Sequence, residues 1–123
     1  MRGFEDPAQF AEVYHYNGSE IRFHDLMEIS QGGPAVGKIT IDGELLEGRF
    51  GGPVLFDSVF LFAPQKVRVG LNSGFRLARI HLHTHEIEVI SKVQNLIFLD
   101  DIEGDRIYYY VDIAKAKRLS SEL

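Results

Sequence analysis

Turn dipeptides constrain this chain more than any other feature. Asn17-Gly18 and Asp42-Gly43 are each flanked by runs of alternating polarity. A two-residue hairpin of type I′ needs positive φ at both central residues, and Asn-Gly or Asp-Gly meets that need at least steric cost. The first dipeptide is expected to join a strand over 11–16 to one over 20–23, the second a strand over 36–41 to one over 44–50. Residues 71–74 (Leu-Asn-Ser-Gly) and 103–105 (Glu-Gly-Asp) read as two further turns, the latter between strands over 96–99 and 106–111. Such short loops connect antiparallel strands only, because a parallel pair needs a long crossover.

Alternation between the turns supports the same reading. Ile39 and Ile41 share a face. Read as one strand, 54–62 carries Val54, Phe56, Ser58, Phe60 and Phe62 on one side, with Leu55, Asp57, Val59 and Leu61 on the other. Ala78, Ile80 and Leu82 share a face of 75–82, and 86–90 reads as its return strand. Runs apolar on both faces, 55–62 and 107–111, are expected to be central or covered on both sides. Helix signals occur only near the ends. Asp6-Pro7-Ala8-Gln9 has the form of an N-cap, a first-turn proline and a capping-box glutamine. Asp112 reads as the cap of a short helix over 113–120, whose end would suit Lys115, Lys117 and Arg118. The expected architecture is all-β or nearly so: an antiparallel sandwich or partly open barrel of about eight to ten strands, with short terminal helices.

The 123 residues fit one β-rich domain over 1–123, and 45% apolar with 25% charged residues is enough to build a core without staples. The absence of cysteine excludes disulfides, thiol nucleophiles, iron–sulfur clusters and thiolate zinc sites. A net charge of −5 argues against non-specific binding to phosphate backbones. The apolar run 59–63 is too short to span a bilayer, and the first residues lack a signal-peptide apolar core. Cytoplasmic location, with neither nucleic acid nor membrane as partner, is the expectation.

The histidines of His81-Leu82-His83-Thr84-His85-Glu86 form the most specific chemical feature. On a strand, positions i and i+2 project on one side, so His81 and His83 can reach one metal ion, with His85 or Glu86 adding a ligand and His15 or His24 a fourth. Such an N/O site suits a divalent transition metal such as zinc, and an open coordination position would acidify a bound water. If 84–85 is instead a hairpin tip, His85 leaves the shared face. The order Gly74, His81, His83, Glu86 parallels that of cupins, but the gaps differ, no glycine follows near Lys92 and the second cupin motif is absent, so no residue role is carried over from that family.

Other features are weaker. Asp57 is either a buried carboxylate with a raised pKa or the mark of a bend that turns it to water. Gly32-Gly33-Pro34 and Gly51-Gly52-Pro53 read as paired corners, with a backbone anion nest as the alternative. The stretch 100–105 is acidic but lacks the ligand spacing of a calcium loop. No serine sits in a G-x-S-x-G elbow, and no phosphate-binding glycine motif is present. Catalytic residues are therefore unidentified, and an enzyme is less expected than a binding module.

Tyr108 and Tyr110 face the same way as Arg106, opposite Ile107, Tyr109 and Val111, and Tyr14 pairs with Tyr16 on another strand. Tyrosine beside arginine is typical of protein-binding surfaces. The leading expectation is a non-enzymatic accessory protein, immunity- or antitoxin-like or the product of a mobile-element cassette, that meets another protein or its own copy as a homodimer. The alternatives are a small metalloprotein using the histidines, and a small-molecule binder in a barrel interior lined by Phe56, Phe60 and Phe62.

Overall fold

Asn17 and Gly18 have φ of 52° and 81°, and Asp42 and Gly43 of 50° and 86°, so both dipeptides form the turns expected of them. The structure, a computed structural model, describes residues 5–31 and 33–123, with the side chain of Val69 also outside the description. In order, the strands are β1 (Val13–Tyr16), β2 (Ser19–Glu28), β3 (Ala35–Ile41), β4 (Glu44–Leu45), β5 (Leu55–Asp57), β6 (Phe60–Val69), β7 (Asn72–His81), β8 (Ile87–Val89), β9 (Phe98–Glu103), β10 (Arg106–Tyr110) and β11 (Arg118–Glu122). They form three antiparallel sheets, ordered β1-β2-β3-β4, β5-β6-β7-β8 and β11-β10-β9. The fold is all-β. It has no closed barrel, and no helix among the described residues.

The middle sheet is apolar on both faces, and each face belongs to a separate core. Leu61, Ala63, Ala78 and Ile80 pack with Ile21, Phe23, Ile39 and Ile41 of the first sheet. Phe62, Phe75 and Leu77 pack with Leu99, Ile107 and Tyr109 of the third. Strand alternation sends successive residues to these opposite sides. Phe50 links the first two sheets along the backbone. Its amide donates to the Gly37 carbonyl and its carbonyl accepts from Gly37 (2.8 and 2.9 Å), while Gly51 donates to Pro64 at 2.8 Å. Pro64 is tolerated inside β6 because N and C=O of one strand residue point the same way. Its nitrogen faces the Gly51 side rather than the β7 ladder, so no β6–β7 hydrogen bond is lost.

Three expectations are corrected. The run 54–62 is not one strand: it folds back at 58–59, with Ser58 at φ 57°, to make the β5–β6 hairpin. At the N-terminal signal, Asp6 Oδ1 accepts from Ala8 and Gln9 (2.8 and 2.9 Å), capping a single turn and not a helix. Near the C-terminus, Asp112 accepts from Ala116 and Lys117 (2.8 and 3.1 Å), but Lys115 at φ 59° breaks helical geometry, and the chain enters β11. A β-bulge in β2 between His24 and Met27, with Asp25 at φ 54°, lies opposite Gly37. A Cβ there would stand 2.4 Å from the His24 carbonyl oxygen, so the close approach requires glycine.

The shared middle sheet makes the two cores one cooperative unit. Leu61→Ala and Leu77→Ala, one in each core, are each expected to cost about 2–5 kcal/mol, in denaturant transitions that coincide by fluorescence and far-ultraviolet dichroism. Two separated transitions would show that the cores unfold independently.

Candidate functional site

The outward face of the third sheet carries the residues singled out at its tyrosines. β10 sends Ile107 and Tyr109 into the second core, with the Tyr109 hydroxyl 3.3 Å from Ser121 Oγ. Arg106, Tyr108 and Tyr110, all half-buried, point the other way. Arg118 on β11 reaches across this face. Its guanidinium lies 4.2 Å from the Tyr108 ring centroid and donates to Asp100 Oδ2 from Nε (3.1 Å) and from an Nη (2.7 Å), with Glu103 3.4 Å away. The hydrogen bond to Asp100, opposed by partial desolvation and aided by the nearby carboxylate charge, holds the Arg118 pKa above its ordinary value. Lys115 Nζ stands 5.0 Å from the Phe98 ring and 5.7 Å from that of Tyr110, and Arg106 donates to Ser120 at 3.1 Å. The aromatic face is thus braced by cations, of which Arg118 is itself tied to acids. Sequence reasoning missed Asp100, Lys115 and Arg118 in this role. Asp100 and Arg118 come from β9 and β11, the outer strands of the sheet, and no local pattern links them.

The histidines lie apart from this face. β7 ends at His81, and residues 82–84 form a turn, so the shared strand face expected for His81 and His83 stops at its first member. His81 Nδ1 accepts from the amides of His83 and Thr84 (3.1 and 3.2 Å), which commits that nitrogen to closing the turn. The His81 and His83 rings are 5.7 Å apart between centroids. His85, at φ 64°, turns toward β4, where its Nδ1 lies 3.2 Å from Glu44 Oε2. Glu86 is exposed and lines a shallow recess with His81, Phe60 and Arg79. His24 bonds Thr40 at 2.9 Å within the first sheet, and His15 is exposed on β1. Among the described residues no three His, Asp or Glu side chains are grouped as a metal ion would require.

A cleft of about 510 Å³ opens between β1, β5 and β9, lined by Tyr14, His15, Tyr16, Phe56, Asp57 and Asp101 among others. Tyr16 stacks on Phe56 at 4.6 Å and 15°, and Tyr14 donates to Glu5 Oε2 at 2.7 Å. Asp57 is exposed on the hairpin bend, so it is not a buried acid. Asp101 pairs in register with Tyr108, so the cleft mouth adjoins the tyrosine face.

The remaining candidates resolve as structure. The acidic stretch 100–105 spans the end of β9 and the turn to β10, with Gly104 at φ 62°. Gly51 is hydrogen-bonded to Pro64 and Gly52 packs under the Phe10 ring, which leaves no open nest there; Gly32 of the other corner lies outside the described residues. Phe56, Phe60 and Phe62 line no common interior. Phe62 is buried in the second core, Phe60 lies under Arg79 at 4.6 Å, and Phe56 faces the cleft.

No family model matches the chain, and no curated protein and no solved structure matches it.

A metal shared by the histidines would make His81→Ala and His83→Ala equivalent in effect. The turn geometry makes them unequal. His81→Ala is expected to cost about 1 kcal/mol through loss of the turn acceptor, and His83→Ala within about 0.5 kcal/mol of nothing. Denaturant melts with chelator and with added zinc check both.

Proposed function

We propose that this chain is a non-catalytic protein-binding module whose contact surface is the outward face of the β9–β10–β11 sheet. The observation that carries the reading is the braced cluster of Tyr108 and Tyr110, with Arg118 set over Tyr108 and tied to Asp100. Tyrosine and arginine contribute most to interfaces, and immobilising such side chains on binding costs about 0.5–1.5 kcal/mol each. Bracing in the free protein removes part of that cost.

Charge selects the class of partner. β9 borders the face with Asp100, Asp101 and Glu103, and the chain carries −5 overall. Two copies of such a chain repel, so a protein with a basic surface fits better than a second copy. A role of immunity or antitoxin type, in which a small acidic protein covers a basic one, is the form of this reading that the charge favours.

A photo-crosslinking residue at position 108, introduced into the source cells, is expected to capture one discrete basic protein that the same residue at position 89 does not. With that partner purified, Tyr110→Ala should weaken binding about 10–100-fold. Equal capture at both positions, a change under about twofold, or a cross-link only between copies of the chain would overturn the proposal.

A further inference from the structure

The molecule builds one small unit twice: an aromatic face, a carboxylate, and an arginine held between them. In one, Arg118 lies 4.2 Å over Tyr108 and bonds Asp100. In the other, Arg79 lies 4.6 Å over Phe60 and pairs with Glu88. Planar guanidinium groups suit both contacts at once, because they stack on rings while their edges donate to carboxylate oxygens.

The cleft between β1, β5 and β9 holds the first two parts of this unit. Its aromatic wall is the stacked pair of Tyr16 and Phe56, flanked by Tyr14. Its carboxylates come from two separate strands, Asp57 from the end of β5 and Asp101 from β9, and both residues are exposed. Asp101 Oδ1 accepts from the Ile102 amide at 2.8 Å. Among the described residues, no lysine or arginine stands over Tyr16 or Phe56, and none forms an ion pair with Asp57 or Asp101. The volume of about 510 Å³ falls in the range of about 300–1,000 Å³ usual for ligand pockets.

We propose that this cleft takes the guanidinium group of an arginine presented by the partner protein, an inference that rests on the protein-binding reading above. The guanidinium stacks on the Tyr16–Phe56 wall and donates to Asp57 and Asp101. Because Asp101 lies in register with Tyr108, the arginine enters beside the tyrosine face and extends the same contact surface around the edge strand β9. Arginine is preferred over lysine, because a compact ammonium is strongly hydrated and cannot stack as a plane.

The probe is an acetylated, amidated Gly-Arg-Gly peptide, titrated into the isotopically labelled full chain at low ionic strength and followed by amide chemical shifts. The control peptide replaces arginine by citrulline, which keeps the shape and removes the charge. Saturable shifts at Tyr16, Phe56, Asp57 and Asp101 are expected, with affinity at least about tenfold lower for citrulline and for the Asp57→Asn/Asp101→Asn variant. Both substitutions are at exposed positions and keep side-chain shape, so the fold is expected to survive, and the unperturbed amides report it. Shifts equal for the two peptides, lying outside the cleft, or unchanged in the double variant overturn the assignment. Tyr110→Ala is expected to leave the peptide shifts in place. Absent peptide binding with intact cross-linking at 108 overturns the cleft alone, whereas intact peptide binding with no partner at 108 overturns the sheet-face reading alone.

Discussion

Every residue of β6 pairs with β7, from Phe60 opposite His81 to Val69 opposite Asn72, and the rest of the molecule is arranged around that ladder. Its register decides which side chains enter which core, since a slip of one residue would reverse the facing of one strand against the other. If β7 slipped on β6, Ala78 and Ile80 would turn to the third sheet and Leu77 to the first, while Leu61 and Phe62 kept their sides. The alternation of Leu61, Phe62 and Ala63 against Leu77, Ala78 and Ile80 therefore sets the positions of both outer sheets. Phe50 reinforces the arrangement through the backbone, where it pairs with Gly37 on one side and bridges to Gln65 on the other.

The third sheet owes its surface chemistry to the same geometry. Because Ile107 and Tyr109 are required in the second core, Tyr108 and Tyr110 must face outward. Among the described residues no further sheet lies over these outward tyrosines, and the chain covers them with its own cations from the 112–117 loop and β11. Arg118 is in turn neutralised by Asp100, which the β-bulge between Tyr108 and Tyr109 leaves without a cross-strand partner. The bulge thus frees the acid that positions the arginine. Next to it, the cleft lies where the three-residue β5 ends beside β1, with Phe56 half-buried against Tyr16.

Much of this was legible in the residues, and the failures have identifiable causes. The Asn-Gly and Asp-Gly turns, the facing of 107–111 and the all-β class follow from local chemistry alone. The β5–β6 hairpin does not, because Ser58 is a weak turn residue that adopts positive φ only under the demand of the surrounding pairing. Residues 63–70 alternate at Lys66-Val67-Arg68-Val69, but Pro64 speaks against a central strand, and only its facing toward Gly51 rather than the β7 ladder makes it acceptable. Asp112 has the side chain of a helix cap, but it accepts from the amides of Ala116 and Lys117 rather than from those two and three residues on, so it closes a loop and starts no helix. The histidines misled through spacing. An i, i+2 pair shares a face only while the strand continues, and this strand ends at the first of them.

Residues 58–85, which hold the whole β6–β7 hairpin, contain no aspartate or glutamate but do contain Lys66, Arg68, Arg76 and Arg79, so all eighteen acidic residues of the chain lie elsewhere. Only Arg79 of these four has an acidic partner among the described residues. The acidic charge therefore lies entirely outside this hairpin, a patterning that the net charge conceals. In the field of a basic body the carboxylate-rich regions would turn toward it during diffusion. Added salt would blunt that orientation and slow encounter far more than it would alter the apolar contacts made afterwards.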